Sequence, residues 1–323
     1  GKIFYREEKF DEAAKILEQA VKELDKASDK LNQSMALSNL SLVYQQQGKW
    51  EQAKAKIEES LKILYSIPDT SKEKLKLIAN TLEVKGKLKL ALGKSDEAFN
   101  IWQDVAKKFI EIGDKNGEIR SQINQTLALQ ELGLYREAFK TLIVPTKILQ
   151  TQEDSQEKAI AYRILGNITR TVGLIGDGND KEEIFNLVQK DINSNQLNYL
   201  DISRELLLQS LAISERLHLK QYIAEANLGL GNTLKAEFYR TKDAFDRVVT
   251  NFENGLAKQL RLLNTAIDYY DKASINSKNI ILINHHTIVS LQARLNKLSL
   301  LIDFKKRFND MESKTKYESD TDR

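Results

Sequence analysis

Cysteine is absent from all 323 residues, which removes disulfides, thiolate catalysis and thiolate metal sites from the possible chemistry. Proline occurs twice and glycine 14 times, a balance that favours long helices with few elaborate loops. No apolar stretch approaches the roughly 20 residues needed to span a bilayer, and no signal peptide is expected. A cytoplasmic protein with no membrane association is the expectation. Because the chain begins with Gly and not Met, it reads as part of a longer polypeptide. An excess of one charge is also missing: 49 Lys and Arg face 46 Asp and Glu, for a net charge of +3, and the two signs are interspersed. A clustered basic face is the usual footprint of nucleic-acid binding, so this balance counts against such a partner.

Catalytic signatures are scarce as well. The sequence contains no G-x-x-x-x-G-K-[ST], G-x-S-x-G or H-E-x-x-H. Its three histidines are His218, His285 and His286. The adjacent pair would point about 100 degrees apart on a helix, unlike the i, i+4 pair that binds zinc. Asp177-Gly178-Asn179-Asp180 clusters oxygen ligands on a turn but lacks the fifth-position ligand, the glycine at six and the glutamate at twelve of a calcium-binding EF-hand loop. A turn followed by a helix cap accounts for it. No metal, cofactor or catalytic residue is expected, and the chain reads as a non-enzyme.

What is present is periodicity. Hydrophobic residues make up 41% and charged residues 29%, enough apolar surface to fold and enough charge for solubility. The stretch Ser34 to Leu64 reads as two amphipathic helices joined by a tight turn at Gly48-Lys49. Leu37, Leu40, Val43 and Tyr44 share one face of the first helix, and Ala53, Ile57 and Leu61 one face of the second. Ser41, Ala53 and Ser60 are small where one helix must approach its neighbour closely.

This unit recurs. The first helix of each unit is marked in turn by Gly1, Ser41, Gly86, Thr126 and Gly166, spaced by 40, 45, 40 and 40 residues. Phe10, Ala13, Leu17 and Ala20 form the second helix of a unit that the chain enters part-way through. Ile67-Pro68-Asp69 stops a helix, with Ser71 or Asp69 able to cap the next. Ala98, Trp102 and Val105 mark the next second helix after the turn at Gly93-Lys94. After the turn at Gly133 come Tyr135, Ala138 and Leu142, followed by Pro145, which is expected to kink or restart its helix.

Two units depart from the ruler. After Tyr162-x2-Leu165-Gly166, about 25 extra residues near 174–198 precede the second helix of Leu200, Leu207 and Ser210, and an additional short helix is expected within them. After Leu230-Gly231 and Leu234, residues 237–262 delay Ala266, Tyr270 and Ala273 by about 24 positions and are expected to lengthen both helices. Leu295, Leu298-Ser299 and Ile302 align with Leu37, Leu40-Ser41 and Tyr44 as a last first helix, with Phe308 falling where Trp50 does. Residues 309–323 are polar and aperiodic and read as a disordered tail.

Leu37, Leu40-Ser41, Tyr44 and Ala53-x3-Ile57 resemble the tetratricopeptide (TPR) repeat. The resemblance extends over residues 1–308 as about six and a half repeats. It implies an all-α fold, an α-solenoid of helix-turn-helix units wound into a right-handed superhelix. The 40-residue spacing and the phrases LLLQSLAISERL and ARLNKLSLLI are also similar to bacterial, especially cyanobacterial, TPR arrays found ahead of CHAT (caspase-like) domains.

The resemblance implies function too. TPR solenoids act as non-catalytic scaffolds for protein–protein interaction, with first helices lining a concave groove that takes an extended partner peptide. Carried onto this sequence, the groove positions are Asn39, Asn80, Lys87, Arg120, Asn124, Arg163, Asn167, Arg170, Asn232 and Lys235, with Leu42, Gln45, Glu83 and Leu127 among them. The set is rich in amides, which can bond both groups of a peptide, and in cations, which can grip a carboxylate. Two other readings stand beside this one. The array can be the regulatory region of a larger CHAT-type effector with its catalytic domain C-terminal, or a nucleic-acid-binding superhelix tracked by Arg120, Arg163, Arg170 and Lys235.

Overall fold

The computed structural model describes residues 9–68, 71–175, 198–245, 252–278 and 289–306. Among them are twelve α-helices and no strand. In chain order they are α1 (Phe10–Lys26), α2 (Lys30–Gln46), α3 (Trp50–Ser66), α4 (Lys72–Ala91), α5 (Ser95–Ile112) and α6 (Lys115–Glu131). They continue as α7 (Tyr135–Gln150), α8 (Gln156–Ile175), α9 (Tyr199–Arg216), α10 (Lys220–Phe245), α11 (Phe252–Lys278) and α12 (289–306). Each helix packs chiefly on its neighbours in sequence, and the even-numbered helices also touch one another along one side. The result is an all-α helical-repeat solenoid.

Local sequence explains where the helices stop and start. Gly48, Gly93 and Gly133 hold positive φ of 69°, 73° and 74° in the turns within pairs, a conformation that glycine adopts without a Cβ penalty. Between pairs, Asp29, Ser71 and Asp114 cap the next helix by accepting from the backbone N–H three residues on. Asn198 does the same for α9 within a reciprocal capping box with Asp201. Pro68 follows Ile67, whose extended backbone ends α3.

The core runs along the solenoid between paired helices. Small side chains set how closely they approach. Ser41 Oγ donates to the Ala53 carbonyl at 2.7 Å, and Ser60 Oγ donates to the Ser34 carbonyl at 2.7 Å, so two hydroxyls fasten α2 to α3. Ser210 Oγ repeats the second contact on the Ala159 carbonyl at 2.8 Å, joining α9 to α8. At the position of Ser41, Gly86 lies beneath the fully buried Trp102 ring and Gly231 beneath Tyr270; a Cβ on either would stand within 2.6 Å of ring atoms.

The structure departs from sequence expectation at two helices. Of the kink or restart expected at Pro145, a restart does not occur: α7 is continuous from Tyr135 to Gln150. Pro145 costs one backbone hydrogen bond, but Leu142, Ile143, Thr146 and Leu149 around it are all buried, and that packing holds the helix together. In α12 the aligned face is turned outward. Leu295 and Ile302 are 61% and 56% exposed and Leu298 is exposed too, whereas Leu37 and Leu40 are 0% and 1% exposed. Val289, Ala293 and Leu300 are buried instead, the last two packed in one cluster with Phe238, Leu263 and Tyr270. In α2 the corresponding face is covered by the second helix of its pair; among the described residues nothing follows α12 to cover it.

The helices α10 and α11 are the longest, at 26 and 27 residues, and the extra length around 237–262 is helical at 237–245 and 252–262. The expected extra helix near 180–192, the Asp177–Asp180 turn, His285, His286, Phe308 and the tail at 309–323 lie outside the described residues.

Candidate functional site: the cleft along the first helices

Side chains from α4, α6, α8, α10 and α12, the first helices of successive pairs, line one continuous cleft of about 670 Å³. It reaches from Lys87 and Leu90 on α4 to Val289 and Gln292 on α12. First helices, beginning at residues 72, 115, 156, 220 and 289, recur on the same side of the array, so residues far apart in sequence share a wall. Of the sequence-derived groove residues, Lys87, Arg120, Asn124, Arg163, Asn167, Arg170 and Asn232 line this cleft. Lys235 lines an adjoining recess of about 560 Å³ together with Arg170 and Asn232. Asn39 and Asn80 line neither; both are half-buried, on α2 and α4.

Several of these side chains are engaged with one another. Glu83, buried on α4, accepts from Arg120 Nε on both oxygens at 3.0 Å and from Asn124 Nδ2 at 3.2 Å. Arg120 also donates to Asn80 Oδ1 at 3.4 Å and stands over the Phe109 ring, 5.4 Å from its centroid. Lys87 Nζ lies 4.0 Å from the same carboxylate and is 44% exposed. Two helices on, Arg163 pairs with the buried Glu225 of α10 at 2.9 Å. Two of the arginines expected to meet a ligand's carboxylate therefore meet the protein's own.

Arg170 differs. Its NH1 donates to Asn167 Oδ1 at 3.2 Å and to the Gly229 carbonyl at 3.3 Å, both neutral acceptors. Gly229 permits that approach, since a Cβ there would meet Leu207 at 2.7 Å and Asn167 Oδ1 at 3.1 Å. Burial pushes the Arg170 pKa down from its ordinary value, and burial also lowers that of Lys235. Lys235 reaches Ser299 Oγ at 3.4 Å. Asn232 Oδ1 accepts from Tyr270 Oη at 3.0 Å and from Asn296 Nδ2 at 2.8 Å, which ties α12 to the floor of the recess.

Sequence reasoning missed Glu225, Tyr239, Arg240 and Asn296. Glu225 sits 62 residues beyond Arg163 with no local pattern joining them. Tyr239 and Arg240 belong to the part of α10 that runs past the usual repeat length, so the repeat ruler assigned them no place.

Comparison with known proteins agrees with this architecture. The tetratricopeptide-repeat family model matches residues 1–66. No curated protein matches the chain. Among solved structures the chain is similar to BtubC (BKLC) from P. vanneervenii, with 15% identity, 78% of this chain and 90% of that one covered, and a TM-score of 0.53. It is similar as well to a putative kinesin light chain with nearly identical TPR-like repeats from Podosopora anserina, with 15% identity, 74% and 95% coverage and a TM-score of 0.47. Fold and match together make this chain an all-α helical-repeat solenoid whose first 66 residues carry the tetratricopeptide-repeat pattern.

Proposed function

We propose that the solenoid is a non-catalytic scaffold that binds an extended segment of a partner protein along the cleft of its first helices. The observation that carries this reading is the continuity of the cleft across five helices. Leu90, Leu127, Ile160 and Leu228 supply apolar contact, while Gln130, Asn167 and Gln221 supply donors and acceptors for a peptide backbone. A rigid wall with that mixture suits an extended chain, whose backbone must be hydrogen-bonded wherever it is desolvated.

The nucleic-acid reading loses support from the same geometry. Arg120 and Arg163 are paired with Glu83 and Glu225, and Glu131 and Glu157 also line the cleft, so a polyanion would meet carboxylates along its path. The reading as the regulatory part of a CHAT-type effector rests on sequence phrases alone, and the reading frame encoding the whole polypeptide tests it.

Peptides selected from a random display library against the whole chain test the scaffold reading. Lys87→Glu and Gln292→Glu, at opposite ends of the cleft, are expected to weaken the selected peptides at least tenfold, while Lys140→Glu, on the exposed side of α7, leaves them unchanged. Peptides indifferent to both cleft substitutions overturn the assignment.

A further inference from the structure

Several cations in this array are answered by the protein's own carboxylates. Arg120 has Glu83, Arg163 has Glu225, Arg204 has Asp201 and Glu237, and Lys297 has Asp271. The recess beside the cleft breaks that habit. Its lining includes Arg170, Asn232, Lys235, Tyr239, Arg240 and Asn296, three cations with no carboxylate among the described lining residues. Arg170 spends one nitrogen on neutral acceptors, and its other nitrogens have no hydrogen-bond partner among the described residues. Lys235 holds one long contact to a serine hydroxyl, and the Arg240 side chain is exposed. Asp303 is the carboxylate near Lys235; it also accepts a hydrogen bond from the Tyr239 hydroxyl, and its single charge offsets only one of the three cations. The excess positive charge, with Arg170 buried, is electrostatically costly, and a bound anion reduces the cost.

We infer that this recess binds a phosphate monoester, carried as a phosphoserine or phosphothreonine on the protein segment that occupies the cleft. The inference rests on the scaffold reading for the source of the phosphate. A carboxylate brings a single charge and two oxygens. A phosphate monoester brings about −1.5 to −2 charges and three acceptor oxygens, which matches two guanidinium forks, an ammonium and the Asn232 amide donor far better. The volume of about 560 Å³ admits one such group with its side chain. A single phosphate on a protein segment is favoured over a phosphodiester chain, because the glutamates along the neighbouring cleft oppose a strand of repeated negative charge.

Isothermal titration of the whole chain at low ionic strength provides the test. The probes are a neutral Gly/Ser peptide carrying one phosphoserine, its unphosphorylated form, a glutamate-substituted form, inorganic phosphate and a single-stranded RNA oligonucleotide. The phosphoserine peptide is expected to bind at least tenfold more tightly than the serine and glutamate peptides and more tightly than inorganic phosphate. Arg240→Glu and Lys235→Met are each expected to weaken it at least tenfold with the thermal melt unchanged; Arg240 is exposed, so its substitution leaves folding intact. Equal binding of the glutamate peptide, or indifference to both substitutions, overturns the inference. Inorganic phosphate binding as tightly as the peptide overturns its protein-borne source, and tighter, steeply salt-dependent RNA binding overturns the choice of ligand. These probes need no cleft contacts, so failure here is distinct from failure of the scaffold reading, which Lys87→Glu reports.

Discussion

Arg120 donates through one nitrogen, Nε, to both carboxylate oxygens of Glu83 at 3.0 Å, tying α6 to α4 across 37 residues of sequence. Glu83 is buried, and Asn124 fills part of its remaining acceptor capacity at 3.2 Å. The pair acts as a strut between successive repeats on the wall of the cleft, and Arg163 with Glu225 does the same between α8 and α10. Removing Arg120 leaves the buried Glu83 only the more distant Lys87, at 4.0 Å, as a counter-charge, and removing Glu83 leaves a partly buried Arg120 unpaired from its carboxylate.

Glu83→Ala is therefore expected to destabilise the fold by about 2 kcal/mol, less than the roughly 3–5 kcal/mol typical of a fully buried pair, because Arg120 is 32% exposed and water screens part of the loss. Urea denaturation of Glu83→Ala, Arg120→Ala and the double variant checks it. If the two single effects simply add, the strut is not an energetic unit.

Gly86 and Gly93 stand seven residues apart in sequence and fail for different reasons. A Cβ at Gly86 would lie 2.3 Å from Trp102 Nε1, and Trp102 is fully buried and donates to the Glu83 carbonyl at 3.3 Å, so the ring has nowhere to go. Gly86→Ala is expected to cost about 3 kcal/mol by overpacking. At Gly93, φ is +73° with nothing within 4 Å, and Gly93→Ala is expected to cost about 1 kcal/mol from backbone strain alone. Comparing the urea midpoints of the two variants decides the order.

Tyr44 titrates late. Burial and its hydrogen bond to Glu18 push its pKa up to about 12. In the unfolded chain the phenol ionises near 10, so its contribution to stability is complete below that pH and is lost as pH rises from about 10 to about 12. Phenolate absorbance in the folded chain is expected to show Tyr44 among the last tyrosines to ionise, with Tyr270, which burial also raises. Tyr44→Phe removes part of that late step and flattens the alkaline fall in stability between those pH values; an unchanged absorbance curve contradicts the assignment.

The outward face of α12 makes a sharp distinction between leucines. Leu295→Glu is expected to change folding stability by no more than about 0.5 kcal/mol, as exposed positions do. Leu300→Ala, which empties a fully buried site against Phe238 and Tyr270, is expected to cost about 2–5 kcal/mol. Chemical denaturation distinguishes them, and equal costs would mean that both leucines are buried in solution.

Much of this architecture is legible in residue order because helix formation and pair packing are local. The spacing of Leu37, Leu40 and Tyr44, the glycines at 48, 93 and 133 and the small residue at 41, 86 and 166 each act within one hairpin, where both partners lie within about 40 residues. Those features determined the helices, their turns and the side of the array on which Lys87, Arg163 and Arg170 emerge. Tertiary structure alone decided what those side chains meet. Arg163 and Arg170 look alike in sequence, seven residues apart on one helix face, yet one is neutralised by Glu225 and the other by no carboxylate among the described residues. The orientation of α12 was likewise decided by packing, since Leu295 and Leu300 are equally apolar and only their position against α10 and α11 buries one of them. Charge pairing and burial depend on the repeat that stacks next in space, and a repeat pattern says where that neighbour sits without saying which of its side chains answers.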